Sequence, residues 1–257
     1  MSENKKDTIE PLYKRVGLCN RLLKIFICLN VVSALVESLT SFSFNWVLII
    51  IEILSAIAVV VIKWLNNYIF LYEAEKERII FAVSDGYSIP LSDKETERYY
   101  TNKEKPSLKK YAANIFESNY YSMYESGKMI LPYVGKNIII TGIIIFAMIK
   151  TANLSFILAG VQGVFSASII EDSISLIMYY FEMKTLYGLQ RDSFLSAKEH
   201  ADNSLTNEAI WIRNIVRYEV VKAYFKIQLD TKIYLKYRDE MNNAWNDIEK
   251  AIESKDM

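Results

Sequence analysis

The chain has 257 residues, a net charge of zero, 52% hydrophobic residues and 23% charged ones. Its two cysteines, Cys19 and Cys28, exclude a disulfide framework and a paired-thiolate metal site. The averages resemble those of a soluble protein, yet long apolar runs alternate with stretches dense in Lys, Glu and Tyr, the partition of a chain dissolved partly in lipid and partly in water.

The expected fold is an all-α integral membrane protein, with two transmembrane helical hairpins and cytoplasmic helices between and after them. In chain order, residues 1–65 hold an N-terminal segment and the first hairpin. Leu22 to Leu39 forms the first apolar run, with Lys24 at its entrance and Glu37 near its exit, and it approaches the roughly 20 residues that cross a bilayer. No small-residue cleavage site precedes the next apolar run, so the first run is expected to persist rather than act as a signal peptide. After the uncharged turn Thr40 to Asn45, a second run extends from Trp46 to Trp64. A tryptophan at each end suits interfacial anchoring. Lys63 can snorkel to the headgroups, whereas Glu52 lies deep in the run and needs a partner, water or a proton.

Residues 66–133 read as a water-compatible helical segment. A charged helix through Tyr72 to Val83 meets a turn signal at Ser84-Asp85-Gly86. A loop containing Asp93 leads to Thr101 to Pro106, and Ser107 is an N-cap for a helix through Lys109, Tyr111, Phe116 and Tyr120. Pro132 is expected to end or kink that helix.

The second hairpin occupies residues 134–181. Ile138 to Ile149 is short for a crossing, but Val134 and Gly135 extend it while Lys136 snorkels. The fourth run begins at Leu154, reaches at least Ile170 and can continue past Glu171-Asp172 to Phe181 as one helix. Residues 182–257 form a cytoplasmic helical region, with breaks at Ala201 to Ser204 and at Asp230-Thr231, a helix capped by Thr206, and a last helix through Trp245 and Ile248.

Orientation follows from the flanks. Lys5, Lys6, Lys14, Arg15 and Arg21 precede the first span, and Lys76, Arg78, Lys94, Arg98, Lys103, Lys105, Lys109, Lys110 and Lys128 lie between the second and third. The turn after the first span has no charge, and the turn after the third has only Lys150. The positive-inside bias places both termini and the middle segment in the cytoplasm.

No enzyme emerges from the pattern. His200 is the sole histidine, in a polar break, and the sequence holds no Gly-rich phosphate loop, nucleophile elbow or zinc motif. No catalytic residue, metal ligand or cofactor is therefore assigned. The fourth span carries Ala159, Gly163 and Ala167 at every fourth position, beside Gly160, a face suited to close helix packing. Gln162 and Gly163 in that span, with Glu52, Glu171 and Asp172, are candidate pore-lining positions, since polar groups within spans face a bundle interior or water. Glu171 and Asp172 repeated around an assembly would form an acidic ring favouring cations. The same two acids equally read as a mere membrane boundary.

In the C-terminal region Arg213, Arg217, Lys222 and Lys226 are interleaved with Tyr218 and Tyr224. With Lys109 and Lys110 they are candidate phosphate-binding groups for a nucleotide or oligonucleotide, because basic groups attract phosphates and aromatic faces stack on bases. A solvated helix surface beside anionic lipid accounts for the same residues.

Ala113 to Tyr121 (Ala-Asn-Ile-Phe-Glu-Ser-Asn-Tyr-Tyr), a polar and aromatic helix ahead of the third span, and the basic tail from Asn207 to Arg238 resemble the four-transmembrane pore-forming effectors of bacterial antiphage systems. Tyrosines replace the tryptophan expected after Asn119, and the tail is richer in Lys than in Arg. The resemblance implies a homo-oligomer in the bacterial inner membrane that permeabilises the bilayer under a signal from a partner nucleotidyltransferase of the cyclic-oligonucleotide type. The alternative is a non-conducting membrane receptor or scaffold that binds a cytoplasmic protein.

Overall fold

A computed structural model describes residues 9–39, 45–92, 100, 102, 104–151, 169–199 and 204–252. Every regular element among them is helical. The helices are α1 (Glu10–Leu39), α2 (Asn45–Leu65), a π-helical turn (Asn66–Phe70), α3 (Leu71–Tyr87), α4 (Leu108–Thr151), α5 (Ile169–Glu199), α6 (Ser204–Phe225) and α7 (Thr231–Ile252). They divide into two compact units whose chain segments alternate: one holds Glu10–Ala74 and Leu131–Ile174, the other Glu75–Ile130 and the residues from Ser175 onward.

Several expectations change at the helix ends. The second apolar run and the charged stretch after it form one continuous helical stretch, Trp46–Tyr87. Among the described residues it is the one helix long and apolar enough to cross a membrane. The turn signal at Ser84 to Gly86 lies inside the last turn of α3, and the chain leaves the helix at Ser88, whose φ is 52°. Ile89 N–H donates to the Ser84 carbonyl at 3.1 Å and Ser88 N–H to the Asp85 carbonyl at 3.4 Å. This is the paired 6→1 and 5→2 closure of a Schellman motif, here with serine in the left-handed position. Pro132 does not end α4. Its missing N–H leaves the Lys128 carbonyl, four residues earlier, without its helical donor. Thr206 falls within the first turn of α6, two positions after its start, rather than at the cap.

Other boundaries fall as expected. The Ser107 hydroxyl accepts from Lys110 N–H at 3.2 Å, the N-cap bond of α4. The Asp230 carboxylate accepts from Lys232 N–H at 2.8 Å at the start of α7.

In the unit containing α1 and α2, those two helices pack against one another. Their outer faces are apolar, and their seam mixes Leu12, Val16 and Val59 with polar side chains. Asn30, Ser33, Ser55 and Asn66 are buried, while Leu18, Ile25, Val32, Ile53, Leu54, Ile57 and Val60 are exposed. The Asn30 side-chain amide donates to the Glu52 carbonyl at 3.0 Å and to Ser55 Oγ at 3.2 Å, and Asn66 Nδ2 donates to Asn20 Oδ1 at 2.8 Å. Within the same unit Asn137 Nδ2 donates to Ser173 Oγ at 2.9 Å, tying α4 to α5.

The second unit has an aromatic core. Phe116 of α4 stacks on Phe194 of α5 at a centroid separation of 5.6 Å and meets the edge-on ring of Trp245 of α7 at 5.3 Å. Phe194 in turn stacks on Trp211 of α6 at 5.6 Å. Met183, Leu186, Tyr218 and Met241 close the core with almost no exposure. α4 is its central helix, since residues 111–117, 119, 120, 122, 125 and 126 are all buried.

Candidate functional site, a buried polar spine on α4

A central helix would be expected to be apolar all round. α4 instead buries Asn114, Glu117, Asn119, Ser122, Glu125 and Ser126 among its aromatic residues. Buried polar groups are costly unless paired, and the surrounding helices supply partners. Asn114 Nδ2 donates to the Asp85 carboxylate at 2.8 Å and its carbonyl oxygen accepts from the Asn102 amide. Asn119 Nδ2 donates to Gln190 Oε1 at 2.8 Å and to the Met183 carbonyl at 3.3 Å. The Ser126 hydroxyl donates to the Ser122 carbonyl one turn back at 2.7 Å.

Beside the spine lies an ionic quartet from α3 and α6. Arg78 is 5% exposed; its Nε meets Glu75 Oε2 at 2.7 Å and its two terminal nitrogens engage both oxygens of Glu219. Lys222 Nζ approaches the other oxygen of Glu75 at 3.3 Å, and the Arg78 guanidinium lies 5.4 Å from the centre of the Tyr218 ring. Two acids and two bases cancel, the condition under which charges tolerate burial. Glu125 is the uncompensated neighbour. Burial pushes its carboxyl up to about 8, against a downward pull from Lys222 and with a further upward push from Asp230. Burial likewise raises the Tyr111 and Tyr120 hydroxyls to about 12, so both stay neutral near pH 7.

The candidate basic residues are dispersed. Lys109 pairs with Glu104 at 2.6 Å, Lys110 donates to the Asp85 carbonyl at 2.9 Å, Arg217 pairs with Glu182 at 2.8 Å, and Lys222 belongs to the quartet. Arg213 is exposed on α6. Lys226 closes the C-terminus of α6 in the left-handed region, φ 51°, its N–H donating to the Lys222 carbonyl at 3.1 Å. Of the pore-lining candidates, Glu52 is half-buried on α2. Glu171 and Asp172 are exposed on α5. Gln162 and Gly163, with Ala159, Gly160 and Ala167, lie outside the described residues, as do Asp93, Lys94, Arg98, Lys103 and His200.

Sequence reasoning passes over Glu75 and Glu125, counts Glu219 only as an acid within the basic tail and treats Arg78 only as a flanking charge. The one-turn spacing of Glu75 and Arg78 signals a local pair, but Glu219 lies 141 residues from Arg78 and nothing in the pattern joins them. Among the described residues no group of His, Cys, Asp and Glu is placed to hold a metal ion. Comparison with protein families, curated proteins and solved structures finds no match to this chain.

Proposed function

We propose that the chain is a homo-oligomeric, multi-pass pore of the bacterial inner membrane, with both termini cytoplasmic, gated by a nucleotide or oligonucleotide signal from a partner nucleotidyltransferase in antiphage defence. The observation that carries membrane insertion is the apolar outer face of the α1–α2 pair, with Ile53, Leu54, Ile57 and Val60 outward and the polar Asn30 and Ser55 inward. A surface of that kind in water would be an aggregation liability, whereas lipid favours it. The long apolar helix from Trp46 supports the same reading. The defence and nucleotide components rest on the resemblance of residues 113–121 and 207–238 to pore-forming effectors.

The test is membrane potential in cells expressing the chain alone and with a nucleotidyltransferase supplied. The expected result is depolarisation in one of the two states, depending on whether the signal opens the pore or holds it shut. An unchanged potential in both would sink the pore. For the ligand, Arg217→Ala with Lys226→Ala is expected to weaken binding of a cyclic oligonucleotide several-fold and to flatten its salt dependence by about one unit of log–log slope for each phosphate no longer neutralised. Unchanged affinity with no salt dependence would make these residues a solvated face.

One observation favours the scaffold reading: Asn30 and Ser55 bond to each other and to the Glu52 carbonyl, which locks two helices together. Gln162→Leu with Glu171→Leu separates the readings. A pore changes conductance or toxicity, and a scaffold changes assembly alone.

A further inference from the structure

α6 is apolar on two opposite faces. One face is consumed by the aromatic core through Trp211, Ile215 and Tyr218, with Asn214 alongside. At 100° per residue, Leu205, Ala209, Ile212, Val216 and Val220 fall on the opposite side in a single stripe. The structure leaves them uncovered: Leu205 is 80% exposed, Ile212 49%, Val216 56% and Val220 59%, and Ala209 is exposed too. A helix with its polar face replaced by a second apolar seam is built for another partner.

The edges of the stripe identify that partner. Glu208 flanks one edge and Arg213 the other, both exposed and five residues apart. When two such helices run parallel about a two-fold axis, the edge position of one meets the position five residues on in the other, the arrangement of interhelical salt bridges flanking a coiled-coil seam. Glu208 of each copy then faces Arg213 of the other. An antiparallel pair would put the basic edges together, so that Arg213 and Arg217 confront their counterparts. An anionic lipid surface fits less well, because a helix lying on lipid carries Lys and Arg around its apolar face, whereas here one edge is acidic and Arg217 is already paired with Glu182.

We propose that the outer face of α6 is the contact between two copies of this chain, a parallel two-fold pairing seamed by Ile212 and Val216 and flanked by Glu208–Arg213 pairs. The proposal deepens the homo-oligomeric part of the function above and rests on it, but its readout is assembly rather than conductance.

The test uses the full chain in detergent or nanodiscs, with Cys19 and Cys28 replaced by Ser. Ile212→Cys is expected to form a disulfide with its own counterpart under mild oxidation, since a two-fold axis brings equivalent seam positions together. Ile212→Glu with Val216→Glu, at exposed positions and with unchanged helicity by circular dichroism, is expected to weaken association about tenfold or more. Glu208→Arg alone should weaken it, and Glu208→Arg with Arg213→Glu should restore it. The proposal is overturned if the mass of the assembly is indifferent to the paired glutamates and the Ile212→Cys variant fails to cross-link. It is equally overturned if a fluorophore on the thiol of the Ile212→Cys variant responds to the anionic lipid content of the nanodisc while the chain stays monomeric, which would assign the face to the bilayer. If the Ile212→Cys variant depolarises membranes without ever cross-linking, the chain loses this surface and keeps the pore.

Discussion

Glu125 is held against its own charge. Burial raises its carboxyl to about 8, and the groups that face it are Lys222 on α6, Asp230 in the link to α7 and Tyr234 on α7. A carboxyl whose folded pKa lies above its unfolded value favours folding fully below the unfolded pKa and loses that contribution as pH rises through the folded one. The window here runs from about 4.5 to about 8. Glu125→Gln, which removes the proton exchange and keeps the shape, is expected to melt close to the parent near pH 5 and above it at pH 8 to 9. Melting curves across that range check it; a parent whose melting temperature does not fall over this interval contradicts the assignment. In the quartet beside it each charge has an opposite within bonding reach.

At the scale of elements, the crossing of α3 and α4 depends on a missing side chain. A Cβ built on Gly86 would lie 2.6 Å from the Cβ of Tyr111 and 2.9 Å from its Cα. Neither atom belongs to a flexible tip that could swing aside. The closeness also lets Ser107 N–H donate to the Gly86 carbonyl at 3.0 Å. Gly86→Ala is expected to destabilise the chain by about 1 to 3 kcal/mol, the usual cost of overpacking, despite the better helix propensity of alanine. Urea unfolding followed by far-ultraviolet circular dichroism measures it, and a variant as stable as the parent would show that the helices separate at no cost.

The helices themselves are legible in the residues, because apolar periodicity, the Ser107 cap and the break at Asp230-Thr231 are local signals. Pro132 lies inside α4 instead of ending it, since whether a proline ends a helix or is carried within it depends on its surroundings, a tertiary matter. The quartet is illegible for the same reason. Lys222 reads as a solvated cation until Glu75, from a distant part of the chain, arrives beside it. Burial of Asn114, Asn119 and Glu125 is equally hidden, because a polar residue on a helix is assigned to solvent unless its neighbours in space are known. Gln190, the partner of Asn119, lies 71 residues away.

For the whole molecule, the two units solve opposite problems. One buries its aromatic rings as a water-soluble bundle does, and the other turns many of its Leu, Ile and Val residues outward while burying Asn30, Asn66, Ser33 and Ser55 beside Leu12, Val16, Val59 and Leu71. Extraction of membranes with alkaline carbonate is expected to leave the chain in the pellet, as it does not for a peripheral protein held by charge. Full release into the supernatant would refute insertion and, with it, the pore. Asn30→Leu should then be a milder lesion than its burial suggests, because in lipid the seam loses two modest side-chain bonds but gains an apolar side chain.

The interleaving of the units imposes an order on biogenesis. The α4 spine is made early, yet Met183, Gln190, Lys222 and Trp245, which cover it, are synthesised after the residues of the other unit. For that interval the nascent chain holds Asn119 and Glu125 with no helix to receive them. The aromatic bundle is thus completed only after residues 131–174 have been synthesised, and a chain cut short before α6 would expose a half-built core to quality control.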